Sequence, residues 1–71
     1  MSMWELFDMV EIQGCVNIKV WDDTVEGYIL DKDLEKMTEE ERLTYFGGDY
    51  IVKYIYSEKA AVTTFEIAKR G

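Results

Sequence analysis

Apolar residues recur along this chain at two periods, and the switches between them mark its elements. Met3, Leu6, Phe7 and Val10 fall at i, i+3, i+4 and i+7, one face of a helix. Ser2 stands three residues before Glu5 in a capping-box pattern, so the helix is expected over about Ser2 to Val10, with Gly14 in its exit turn. A helix this short does not persist alone and has to pack on something. From Val16 to Trp21 the period changes to two: Val16, Ile18 and Val20 take one face, and Trp21 lies opposite them. Asp22-Asp23-Thr24-Val25-Glu26-Gly27 is turn chemistry, and Tyr28-Ile29-Leu30 returns as the second strand of a hairpin.

Thr38 and Glu41 repeat the capping-box pattern and open a second helix. Leu43 and Phe46 are expected on its inner face and Gly47 at its C-terminal cap, with a lead-in from Asp33 through Leu34 to Met37. Tyr50 to Tyr56 is the strongest β segment, rich in aromatic and β-branched residues. Strict alternation there would place Tyr50, Val52, Tyr54 and Tyr56 on one face, with Ile51, Lys53 and Ile55 on the other. A turn over Ser57-Glu58-Lys59-Ala60 and a strand from Ala61 to Ile67 close a second hairpin. The order α-β-β-α-β-β predicts an α+β fold, a small antiparallel sheet of about four strands with two short helices on one face. Length adds that residues 1–71 form a single domain, well under the usual size of about 100–150 residues.

Composition changes this picture in two respects. Apolar residues make up 48% of the chain and aromatics 14%, enough for a core and too much for a disordered acidic tail. Staples are few. Cys15 is the single cysteine, so no internal disulfide forms, and without histidine the common zinc sites are excluded. The core must therefore hold the fold, alone or shared with a second copy. No apolar run approaches a membrane span, and Met1-Ser2-Met3-Trp4-Glu5 has no basic region ahead of an apolar stretch, so a cytoplasmic location is the expectation.

Charge is placed unevenly. Residues 22–49 hold ten acids against three bases and account for −7, the net charge of the whole chain, whereas residues 50–71 carry +2. Such a field repels nucleic acid and anionic membranes and favours basic protein surfaces or cations. The plainer alternative is that the acids only keep a small domain in solution.

Candidate chemistry is sparse. A nucleophile needs a base beside it, and no histidine is present. Cys15, between Gly14 and Val16, reads as a small, partly buried hydrophobe at a strand start. Residues 22–33 partly match the spacing of a calcium-binding loop. However, Asp33 stands where that loop ends in a bidentate glutamate, and the segment before it is a strand, so a hairpin is the better reading. No glycine-rich phosphate loop precedes a helix. An enzyme is not expected, and neither is a cofactor or a metal.

The aromatic residues are the informative surplus. Two short helices cover one face of a four-stranded sheet, so the other face is expected to carry residues such as Trp21, Tyr54, Tyr56 and Val62. Aromatic residues mixed with polar ones are typical of interface cores, although tyrosines also edge ordinary cores with their hydroxyls in water.

The N-terminal helix, followed by Val16-Asn17-Ile18-Lys19-Val20-Trp21-Asp22-Asp23, a turn and Tyr28-Ile29-Leu30, resembles short acidic proteins encoded in phages and mobile elements of Gram-positive bacteria. The resemblance covers the first third of the chain. It implies a setting in which some small acidic proteins inhibit host nucleic-acid-binding proteins by occupying their basic sites. Two functions follow as expectations. The first is a protein-binding module that uses Trp21, Tyr54 and Tyr56, with a homodimer among its candidate states. The second is an acidic decoy in which Asp22, Asp23, Glu26, Glu39 and Glu40 stand in for phosphates.

Overall fold

Both helices start at their capping boxes. In the computed structural model, which describes every residue except Gln13 and Gly71 and only the backbone of Glu58, helix α1 spans Met3–Met9 and helix α2 spans Glu39–Tyr45. Ser2 Oγ accepts from the Glu5 N–H at 3.2 Å, and the Glu5 carboxylate accepts in return from the Ser2 N–H at 3.3 Å. Thr38 and Glu41 make the same exchange at 3.1 and 2.9 Å. The main-chain donor at each cap holds its carboxyl below the ordinary range, helped at Glu41 by an ion pair with Lys32 at 2.9 Å.

Four strands follow in two hairpins: β1 (Cys15–Asp22) with β2 (Gly27–Asp33), and β3 (Tyr50–Lys59) with β4 (Val62–Lys69). A single 3₁₀ turn, Leu34–Lys36, and then α2 connect them. The sheet order is β2-β1-β4-β3. The expected α+β class and element order hold, but the sheet is mixed rather than antiparallel, because the central strands β1 and β4 run parallel. The reason lies in the crossover. α2 carries the chain back along the sheet, so that Tyr45 at its end meets Tyr50 at the start of β3, ring centroids 5.1 Å apart. β3 therefore runs in the direction of β2, and β4 in that of β1.

The two most buried strands take the centre, where both edges are paired. Ile18 lies beside Phe65 and Val20 beside Ile67, all buried on the helix side of the sheet. Met3, Leu6, Met37 and Phe46 close over them. Phe46 is 1% exposed and meets Trp4 and Phe7 edge-on at 5.5 and 5.8 Å between ring centroids, which fastens α1 to the end of α2.

Local departures from expectation have local causes. Cys15, expected to be partly buried, is exposed as the first residue of β1. Leu43 is 66% exposed, because α2 ends within two residues of it and the chain turns inward at Phe46 instead. Gly47 follows the cap without a left-handed φ; Tyr50 N–H closes a turn onto its carbonyl. The second hairpin turns at Ala60-Ala61 rather than at residues 57–60. There Ser57 Oγ donates to the carbonyls of Lys59 and Val62 and keeps the strand ends together. Ala61 has φ 63°, and a Cβ at Gly14 (φ 86°) would lie 3.3 Å from the Ala61 carbonyl, so this corner needs a glycine where it has one.

Two variants test this packing by urea denaturation. Phe46→Ala should cost about 3–5 kcal/mol. That is a large share of the roughly 4–11 kcal/mol available to a chain of this length. A loss below about 1 kcal/mol would show that the aromatic cluster does not anchor α1. Ala61→Gly should raise the midpoint, with a gain of up to about 1 kcal/mol in unfolding free energy, by relieving the left-handed φ. A lowered midpoint would mean that the turn gains more from alanine in the unfolded chain than it loses to strain.

Candidate functional site

The side of the sheet away from the helices carries the aromatic residues, and two irregularities in the edge strands put them there. In β2, Val20 pairs with Leu30 but Trp21 pairs with Tyr28, so Ile29 is an extra residue. Without it Tyr28 would share the core face with Leu30. In β3, Val52 pairs with Ile67 but Tyr54 pairs with Glu66, so Lys53 is extra. Strict alternation would have kept Tyr54 and Tyr56 with Tyr50 and Val52. The bulge separates them: Tyr50 and Val52 pack against the core, while Tyr54 and Tyr56 turn to the open face and Ile55 to the helix face. The shared face expected for these four residues is thus corrected, and Trp21, Tyr54 and Tyr56 come to lie on one surface.

That surface reads as three rows across the sheet. Tyr28, Trp21, Ala68 and Ile51 form the first. Asp31, Lys19, Glu66 and Tyr54 form the second, and Asp33, Asn17, Thr64 and Tyr56 the third. Trp21 and Tyr28 meet edge-on with ring centroids 5.2 Å apart. The Trp21 indole N–H donates to Asp23 at 2.6 Å, and the Tyr28 hydroxyl donates to Glu66 two strands away. Lys19 Nζ lies 5.2 Å from the centroid of the Tyr28 ring, which spans the strand between. Between the Trp21 and Tyr54 side chains a shallow depression of about 420 Å³ is floored by Ala68 and flanked by Lys53 and Lys69.

The acidic residues are distributed otherwise. Asp22, Asp23 and Glu26 sit at the β1–β2 turn, whereas Glu39 and Glu40 occupy the first turn of α2, beyond the far end of β2. Seven residues of strand separate the two groups, a span of about 20 Å. Asp22 accepts from the Thr24 N–H at 2.8 Å and, like Asp23 with Trp21, works within its own turn. Glu39 and Glu40 favour the positive end of the α2 dipole. The charge concentrated in sequence is therefore divided in space. Residues 22–33 are paired as a hairpin from Asp22–Gly27 to Asn17–Asp33, which holds Asp22 and Asp33 at opposite ends rather than around one ion.

Sequence reasoning missed Tyr28, Ile51, Lys19, Glu66 and Ala68 as members of the face. Lys19 and Glu66 follow from alternation in β1 and β4 once Ile18 and Ile67 are known to point inward. Tyr28 had no such signal, because the bulge at Ile29 reverses it.

The hydrogen bond to Glu66, with burial and the carboxylate's own charge behind it, pushes the Tyr28 phenol up to about 12 from its ordinary 10.0. The neutral phenol is thus the form the fold favours. Its contribution is complete below pH 10 and is lost as pH rises through 12. In an ultraviolet titration Glu66→Gln should return this tyrosine towards its ordinary value. An unchanged curve would mean that the Tyr28–Glu66 contact is not formed in solution. No family model matches the chain, and no curated protein or solved structure is significantly similar to it.

Proposed function

We propose that this chain is a non-catalytic protein-binding domain whose contact surface is the open aromatic face of its sheet. One observation carries the reading: Trp21, Tyr28, Ile51, Tyr54 and Tyr56 lie on the face opposite the core, and the first two are already held in place by Asp23 and Glu66. Tryptophan and tyrosine dominate the binding energy of protein interfaces, and side chains fixed beforehand lose less entropy on binding. The depression over Ala68 would admit an apolar side chain of a partner, with Trp21 and Tyr54 as its walls. Acids and bases alternate across the second row, from Asp31 to Lys19 to Glu66, a pattern suited to a protein surface rather than to a polyanion.

Capture experiments with the whole chain as bait test this. Proteins retained by wild type should bind at least about tenfold more weakly to Tyr54→Ser. The same proteins should bind equally well to the double variant Glu39→Lys, Glu40→Lys and hold on as salt rises. Tyr54 is 64% exposed, so its loss spares the fold. Binding that survives Tyr54→Ser, falls with the double variant and weakens steeply with salt would overturn the aromatic reading in favour of the acidic decoy.

A further inference from the structure

The strands at the two edges of the sheet differ in what they offer a neighbour. β2 presents Asp31 and Asp33 along its outer edge, next to the most acidic part of the chain. β3 belongs to the part that carries +2. Its first half is blunted by the bulge at Lys53 and by the N-terminal segment, where the Val52 N–H donates outward to the Met1 carbonyl at 2.7 Å. A second register shift, between Tyr56 and Lys59, interrupts its far end and leaves Tyr54–Tyr56 as the regular stretch between the two. Tyr54 is 64% and Ile55 56% exposed.

Main-chain direction at Ile55 follows from the pairing. The Cys15 N–H donates to the Ala61 carbonyl at 3.3 Å, so alternate residues of β4 through Phe65 and Ile67 direct their main-chain groups to β1. Their partners on β3 then point away from the sheet, as Val52 opposite Ile67 does. Ile55 lies opposite Phe65, so its N–H and carbonyl face outward too. No main-chain hydrogen bond from outside the sheet reaches them among the described residues.

We propose that a second copy of this chain pairs with this edge, β3 against β3, antiparallel about a two-fold axis at Ile55. In that register each Ile55 exchanges main-chain hydrogen bonds with the partner's Ile55. Tyr54 lies across from the partner's Tyr56 on the open face, a favourable cross-strand aromatic pair. The sheet becomes eight strands wide with one continuous aromatic face, and the acidic β2 strands stand at its two far ends. Joining through β2 about an axis at Lys32 instead would set Asp31 against the partner's Asp33, like charges across the seam. The paired stretch is short and buries less than the roughly 800 Å² per partner of a stable complex. The dimer is accordingly weak, with a dissociation constant between about 10 µM and 1 mM. It extends the open face without depending on what that face binds.

Sedimentation velocity across that concentration range tests the pairing. The mass of wild type should rise from 8.4 kDa towards twice that value. Ile55→Lys and Ile55→Asp, which place like charges at the axis, should each weaken association at least about tenfold. An equimolar mixture of the two should associate again, a rescue that misfolded variants cannot give. Trp21→Ser, in the middle of the face, should leave the dimer intact. Wild type that stays monomeric at the highest concentration overturns the proposal and leaves the protein-binding role standing. So does a dimer lost with Trp21→Ser but kept with both Ile55 variants, since the copies would then meet face to face.

Discussion

Two seven-residue helices have to shelter a four-stranded sheet, and they reach across one face of it. Everything else in the molecule follows from that limit. The parallel pair β1–β4 brings its inward side chains together at the centre, so that Ile18, Val20, Phe65 and Ile67 are sealed with little covering material. Phe46 joins the cover into one piece by meeting two rings of α1. Neither helix is long enough to persist without these contacts. Cap, helix and sheet therefore stand or fall together, as expected for a chain this small and without a disulfide.

The same limit leaves a sheet face open, and the edge strands determine what it presents. A bulge normally serves to blunt an edge, and this sheet has one at Ile29 in β2, one at Lys53 in β3 and a further shift in β3 between Tyr56 and Lys59. Those at Ile29 and Lys53 also turn tyrosines from the core side to the open face. Tyr28 crosses its neighbouring strand to reach Glu66, and Trp21 is tied to its own turn through Asp23. The result is an aromatic surface with alternating charges, on which hydrogen bonds hold Trp21 and Tyr28 in place.

Charge plays a different part from the one its position in sequence suggests. The acids of residues 22–49 cap a turn, begin a helix and line one edge, and folding sends them to opposite ends of β2. Glu41 is engaged twice, by the Thr38 cap and by Lys32. What remains is a polarity across the sheet, acidic at β2 and mildly basic at β3 and β4. That polarity makes one edge more hospitable than the other to a second copy.

Features set by neighbours in sequence were legible from the sequence alone. The capping boxes at Ser2 and Thr38, the inward alternation of Val16, Ile18 and Val20, and the α-β-β-α-β-β order each depend on residues a few positions apart. The tertiary structure decided whatever required partners distant in the chain. The parallel meeting of β1 and β4 depends on where α2 delivers the chain, and no local pattern encodes that. The faces of Tyr28, Tyr54 and Tyr56 depend on bulges at Ile29 and Lys53, each a single unmatched residue against the strand opposite. Leu43 and Phe46 both looked inward by spacing, but α2 ended too soon for both to be buried. Trp21 was placed correctly because β1 runs at the centre of the sheet, where pairing on both sides enforces strict alternation.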